Sequence, residues 1–73
     1  MSSYHLDAKR LLCPLPVIKT QNQIKKLSPG DILEVSCTDP GVVHDIPAWC
    51  RINGHKVLEI FDSPLEIIIR IQV

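Results

Sequence analysis

The three cysteines, Cys13, Cys37 and Cys50, are the side chains of this chain with the widest chemical potential. They are separated by 24 and 13 residues, so they form no C-x-x-C pair and no disulfide framework. Three histidines accompany them, but none stands at a short spacing typical of zinc ligands. The sequence therefore predicts three separate thiols, no metal site and no cofactor.

Cys13 is the predicted nucleophile, because it lies where a strand gives way to a helix. The segment Cys13-Pro14-Leu15-Pro16 opens that helix, and the amino terminus of a helix favours a negative charge such as a thiolate. Pro14 and Pro16 carry no N–H, so Leu15 is the remaining first-turn donor to the sulfur. The prolines also restrict the backbone and present the thiol outward. We expect modest activation of the Cys13 thiolate.

Three further polar residues are predicted to support Cys13. Lys9 and Arg10 precede it in a polar loop, where they are suited to stabilise an anionic sulfur or to dock an acidic partner. Asp39 follows the second strand, and a right-handed crossover brings the carboxyl ends of the first two strands to one edge. Asp39 should therefore lie beside Cys13, although an N-cap role alone is its commoner use. No residue is placed as a dedicated general base.

Other candidates are better explained by packing or solvation. Cys37 and Cys50 fall on apolar stripes, where cysteine behaves as a small hydrophobic residue. Asp45 is interpreted as a solvated carboxylate on the second helix, and nothing in the sequence shows that His44 reaches Cys13. Hydrolase chemistry is not supported by this pattern.

The elements that position these residues follow from apolar periodicity. The predicted order is β-α-β-α-β-β, with strands at Tyr4 to Ala8, Ile32 to Thr38, Val57 to Phe61 and Leu65 to Val73, and helices from Pro14 to Leu27 and from Asp39 to about Asn53. This order favours an α+β fold, a two-layer α/β sandwich with two helices on one face of a four-stranded mixed sheet. The other face is left to water or to a partner.

Details within these elements predict which side chains are buried. In the first helix the apolar stripe comprises Leu15, Val17, Ile18, Ile24 and Leu27. In the last strand one face comprises Leu65, Ile67, Ile69, Ile71 and Val73. Pro47 lies inside the second helix and cannot donate the usual hydrogen bond, so we expect an irregular first turn or a restart there.

Length and composition restrict the class of protein. The chain has 73 residues, 45% of them hydrophobic, and eight basic residues balance eight acidic ones. Such a chain is long enough for one domain, residues 1–73, and has no overall field that would attract nucleic acid or an anionic membrane. We expect neither a signal peptide nor a membrane span in it. The expected location is the cytoplasm.

The motif Cys13-Pro14-Leu15-Pro16, with Thr38-Asp39-Pro40 and Asp45-Ile46-Pro47 downstream, resembles the TusA/SirA family of small sulfur carriers. The likeness extends over about residues 6–61. It implies the sandwich described above and a motif cysteine, Cys13, that carries sulfane sulfur as a persulfide. One residue departs from the family pattern, because Arg10 stands where the family usually has glycine three residues before the cysteine.

The resemblance also implies partners for the carrier. The sulfur donor would be a cysteine desulfurase or a rhodanese-like protein, and the acceptor a DsrE-like subunit or another sulfurtransferase. Such a relay serves tRNA thiolation, sulfur oxidation or cofactor synthesis in family members. The protein would act as a shuttle more than as an enzyme, with at most weak sulfurtransferase activity.

Two other functions remain open from the sequence. A nucleic-acid or regulatory module would use the open sheet face with Arg70 and Lys56, but its aromatic residues are few and the net charge is zero. A redox sensor would need a resolving cysteine near Cys13, whereas Cys37 and Cys50 are predicted to be buried. Direct contact with nucleic acid or membrane is not expected of the carrier.

Overall fold

The computed structural model describes residues 2–73 and contains six regular elements. Their bounds are β1 Ser3–Ala8, α1 Leu15–Ile24, β2 Ile32–Cys37, α2 Val42–Ile52, β3 Lys56–Asp62 and β4 Ile67–Gln72. The predicted order of elements is therefore confirmed. Gly54 follows the end of α2 and Gly30 lies in the turn before β2, and their positive φ angles of 80° and 94° reverse the chain where glycine is least strained.

The four strands form one mixed sheet in the order β1-β2-β4-β3. Strand β1 pairs in parallel with β2, while β4 pairs antiparallel with both β2 and β3. Ala8, Cys37, Ile67 and Asp62 end up in one row across the sheet, because each is the register partner of the next. The loops after β1 and β2 and the β3–β4 hairpin therefore share one edge, which we call the thiol edge.

The core lies between the helices and one face of the sheet. Strand β2 contributes Leu33, Val35 and Cys37, all fully buried, which confirms the burial predicted for Cys37. The remaining buried apolar residues are Ala8, Ile24, Val42, Ile46, Cys50, Ile67, Ile69 and Ile71. The two-layer sandwich predicted from the sequence is confirmed.

Helix α1 is shorter than predicted, and its buried face is different. The helix ends at Ile24 instead of continuing to Leu27. Pro16, Thr20 and Ile24 form its buried stripe, whereas Leu15 and Ile18 are about half exposed. Thr20 can be buried because its hydroxyl donates a 2.8 Å hydrogen bond to the Pro16 carbonyl, which satisfies the polar group within the helix.

Two further predictions required correction. Pro47 neither restarts nor interrupts α2, which is a single helix from Val42 to Ile52. Leu65 does not belong to β4, which begins at Ile67. Leu65 lies in the hairpin loop with 89% of its surface exposed. Ser63 closes this loop through a 2.7 Å hydrogen bond from its hydroxyl to the Glu66 carbonyl, so the alternation of β4 starts two residues later.

The sheet face opposite the helices carries a polar network. Arg70 donates a 2.8 Å hydrogen bond to Glu59 and lies 3.9 Å from Glu34. His5 Nε2 lies 2.8 Å from the Ser36 hydroxyl. A shallow hollow of about 240 Å³ on this face does not include Cys13, so it is separate from the predicted site.

Candidate functional site

The loop that leads to Cys13 is anchored to the end of β2. The Arg10 N–H donates a 2.8 Å hydrogen bond to the Thr38 hydroxyl, and the Lys9 N–H donates a 3.0 Å bond to the Asp7 carboxylate. Arg10 adopts a φ of 68°, the left-handed conformation that glycine favours. The departure from the family pattern at this position therefore leaves Arg10 in a strained backbone conformation.

Cys13 is held against the loop between β2 and α2. Its N–H donates a 2.7 Å hydrogen bond to Asp39 Oδ2, and the other carboxylate oxygen of Asp39 accepts a 3.0 Å bond from the Gly41 N–H. The two sheet-edge loops are thus joined through one carboxylate. The expected proximity of Cys13 and Asp39 is present in the structure.

Gly41 provides the floor beneath the thiol. A Cβ atom added there would lie 3.4 Å from Cys13 Sγ, 3.5 Å from Asp39 Oδ1 and 3.8 Å from Asp45 Oδ2. The sulfur and both carboxylates therefore surround one small volume that glycine leaves open. We call Cys13, Asp39, Gly41 and Asp45 the thiol cradle.

The cradle raises the pKa of Cys13 to about 12, first through burial and then through hydrogen bonding and negative charge from Asp45 and Asp39. The expectation of an activated thiolate is therefore wrong for the isolated protein. Two nearby carboxylates oppose ionisation more than the start of α1 favours it. The pKa of Asp39 is lowered, because its carboxylate accepts backbone hydrogen bonds from Cys13 and Gly41.

The start of α1 explains why its amides do not compensate. The Leu15 N–H, predicted to face the sulfur, donates a 2.9 Å hydrogen bond to the Leu12 carbonyl. Pro14 is the N-cap and makes no side-chain capping bond, and its peptide bond with Cys13 is cis. Pro16 is buried and secures the first turn to the core. The N–H predicted to stabilise the thiolate is therefore already used within the turn.

The basic residues of the loop do not contribute as predicted. Lys9 and Arg10 are exposed, and neither is among the causes that set the pKa of Cys13. Their predicted effect on the sulfur is thus not present, although their exposed positions leave them accessible to a partner. His44 is likewise exposed on α2.

Apolar side chains near Cys13 in the sequence are unusually exposed. Leu12 is 72% exposed, Leu15 50% and Ile18 45%. Leu65 lies at the same thiol edge in the β3–β4 loop. Several exposed apolar groups near one another are typical of a surface that contacts other proteins.

Sequence reasoning missed Gly41 and Asp45. Asp45 is exposed, as predicted, but it lies in the first turn of α2 and its Oδ2 faces the same small volume as Cys13 Sγ. The available signal was the Asp39-Pro40-Gly41 turn, because a helix that begins there places an acid four residues later at the same helix end.

No group of three or more His, Cys, Asp or Glu side chains within residues 2–73 is arranged to hold a metal ion. In the same part of the chain, no helix has the length and apolar character needed to cross a membrane.

Comparison with known proteins places the chain in a family. Residues 4–73 match the family described as Sulfurtransferase TusA. The chain is 46% identical over 58 residues to "Putative sulfur carrier protein YrkI" of Bacillus subtilis strain 168, a match covering 80% of this chain and 77% of that protein. It is 44% identical over 54 residues to the sulfur carrier protein TusA of Pseudomonas aeruginosa strain LESB58, covering 74% and 68%.

The fold is shared with a solved structure. The crystal structure of a SirA-like protein from Desulfitobacterium hafniense superimposes with a TM-score of 0.84 over 96% of both chains, at 19% sequence identity. This likeness concerns the fold alone. The family match and the identities above show that the chain belongs to the TusA family.

Proposed function

We propose that this protein is a sulfur carrier that accepts sulfane sulfur as a persulfide on Cys13 and passes it to another protein. Cys13 is the one cysteine of the three that is not fully buried, and it lies at a sheet edge formed by three loops. That accessibility is the observation that carries the proposal. The names of the relatives, sulfur carrier proteins, support the same role.

The transfer step needs only two thiols and one sulfane sulfur. The Cys13 sulfur attacks the outer sulfur of a donor persulfide, forming a new S–S bond as the donor S–S bond breaks. The donor sulfur leaves with the bonding electron pair and takes up the proton that Cys13 gave up. Cys13–SH and donor–S–SH thus become Cys13–S–SH and donor–SH, and the reverse sequence unloads the carrier at the acceptor.

The partners follow from this chemistry and from the family. We propose a cysteine desulfurase or a rhodanese-like protein as donor, and a DsrE-like subunit or another sulfurtransferase as acceptor. Pro14 and Pro16 would fix the loop that presents the thiol, Asp39 would hold the Cys13 backbone, and Lys9 and Arg10 would contact the partner. The relay would serve tRNA thiolation, sulfur oxidation or cofactor synthesis, with the protein as a carrier instead of a catalyst.

We place the carrier in the cytoplasm. We propose that residues 1–73 form the single domain that carries this activity.

Intact-mass measurement tests the proposal. The protein is incubated with a cysteine desulfurase and L-cysteine, and wild type should gain the mass of one sulfur atom. Cys13→Ser should gain none, while Cys50→Ser, which changes a buried thiol, should load like wild type. A sulfur adduct that persists on Cys13→Ser, or its absence from wild type, would overturn the proposal.

A further inference from the structure

The thiol cradle places two carboxylates against one sulfur. The point where a Gly41 Cβ would lie is 3.4 Å from Cys13 Sγ, 3.5 Å from Asp39 Oδ1 and 3.8 Å from Asp45 Oδ2. The three atoms therefore face a common space about the size of a methyl group. A negative charge developing on the sulfur would be repelled from two sides.

No cation offsets these carboxylates within the described protein. Both ion pairs of residues 2–73 are made by Arg70, which lies on the sheet face opposite the helices. Asp39 approaches the thiol from the loop after β2, and Asp45 from α2. From the loop after β1, Lys9 and Arg10 extend into solvent without pairing with either carboxylate. The cradle thus has uncompensated negative charge.

The two carboxylates reach the cradle from different elements. Asp39 accepts two backbone N–H groups, which hold it in place and stabilise its charged form. Asp45 lies in the first turn of α2. An arrangement that only fixed the loop would need Asp39 alone, because Asp45 makes none of the backbone hydrogen bonds that join the two loops.

We propose that Asp39 and Asp45 form a charge gate on Cys13, which keeps the unloaded carrier as a neutral thiol until a donor protein places a basic side chain against the two carboxylates. This inference rests on the proposed function and names the partner feature that the site requires. A lysine or arginine paired with the carboxylates removes their repulsion and allows the Cys13 thiol to release its proton to the departing donor sulfur. Asp45 is a positioning residue in this scheme, since it acts through the charge of the thiol.

The first test measures how Cys13 alkylation by iodoacetamide depends on pH, with Cys13 identified by peptide mass spectrometry. Asp45→Asn keeps the size of the side chain and removes its charge. We expect its Cys13 to react about tenfold faster than wild type near pH 8, since each unit of pKa changes the thiolate fraction tenfold. Glu34→Gln removes a carboxylate from the opposite sheet face and should leave the profile unchanged.

The second test measures sulfur loading by two donors. A cysteine desulfurase with L-cysteine should load Asp45→Asn several-fold more slowly than wild type. The basic side chain of the desulfurase would then lack the Asp45 carboxylate as a partner. A low-molecular-weight persulfide, which has no docking surface, should load the same variant faster. If the role of Asp45 were purely structural, loading by the desulfurase and loading by the small persulfide would both become slower or both become faster.

The outcomes separate the charge gate from the carrier function. An unchanged pH profile in Asp45→Asn overturns the gate even if wild type loads normally. If the desulfurase loads Asp45→Asn at or above the wild-type rate, the proposal that the donor places a basic side chain against the carboxylates is overturned. Absence of loading on wild type with a changed pH profile in Asp45→Asn overturns the carrier function and leaves the electrostatic coupling standing.

Discussion

Cys13 and Cys37 lie near the same edge of the sheet, yet different forces suppress their ionisation. Cys37 is fully buried, and its pKa is raised to about 11 mainly by that burial. Cys13 is partly exposed, and its pKa is raised to about 12 by burial together with Asp45 and Asp39. Burial in a core persists as long as the fold does, whereas two surface carboxylates are neutralised by any cation that binds them.

The comparison shows that a raised pKa does not by itself separate a buried thiol from a partly exposed one. Cys50 behaves like Cys37, with burial raising its pKa to about 11. Cys13 differs because its pKa is raised partly by Asp45 and Asp39, two carboxylates that a partner protein is able to reach. The difference between the two kinds of thiol is accessible to experiment.

The largest expected effect concerns stability at high pH. The folded pKa of Cys37 lies about two units above its ordinary value near 9, so above pH 9 the unfolded chain loses this proton first and folding becomes less favourable. Below pH 9 the contribution is fully present. Urea unfolding between pH 9 and 11 should lose about 1.4 kcal/mol per pH unit through this thiol.

Cys37→Ala should remove that share of the slope, although the variant starts from lower stability. Glu34→Gln, which changes a side chain on the opposite face of the same strand, serves as the matched control. An identical slope in wild type and Cys37→Ala would mean that the Cys37 thiol ionises as easily in the folded protein as in the unfolded chain.

The second expected effect compares replacement of the sulfur atom by oxygen in the core, at Cys37, and in the thiol cradle, at Cys13. Cys37→Ser buries a hydroxyl on the apolar face of β2 and should lower the free energy of unfolding by about 1–3 kcal/mol. Cys13→Ser, at a partly exposed position, should change it by less than about 0.5 kcal/mol. Urea denaturation at pH 7 measures both. Equal losses would contradict the structural distinction between the two thiols.

A third effect concerns the space above Gly41. Gly41→Ala should keep the fold, because the residue has a right-handed helical conformation with φ −60° and ψ −23° that alanine adopts freely. The added Cβ would lie 3.4 Å from Cys13 Sγ and compete for the space that a second sulfur enters. We expect sulfur loading to slow several-fold with little change in the melting temperature. Unchanged loading would show that the terminal sulfur points away from Gly41.

The smallest effect concerns strain in the loop before the cradle. Arg10→Gly should relieve a left-handed conformation that costs an L-residue about 1–2 kcal/mol, offset by the greater freedom of glycine in the unfolded chain. The net gain should be about 0.5–1 kcal/mol, seen as a higher melting temperature. Arg10→Ala removes the same side chain but keeps the left-handed backbone conformation. Its melting temperature should therefore not exceed that of wild type. A rise in Arg10→Ala alone would assign the effect to the side chain.

Much of the fold was predictable, because apolar periodicity reports local geometry. The alternation of Ile67, Ile69 and Ile71 marked a strand correctly, and Pro14 marked the start of α1 to within one residue. The stripe of α1 was assigned incorrectly, since a threonine that bonds to its own helix replaced Leu15 and Ile18 in the core. The hydrophobicity of a residue does not show whether its side chain lies in the core or on an exposed apolar surface.

The sequence by itself determined the element order and the proximity of Cys13 to Asp39, because strand direction and helix boundaries depend on residues close together in the chain. Only the tertiary structure decided the electrostatics of the thiol. Asp45 lies 32 positions beyond Cys13 in the sequence, and the two meet across Gly41 only when α2 packs beside α1. Charge acts through space, so its effect on the pKa of Cys13 is fixed by packing.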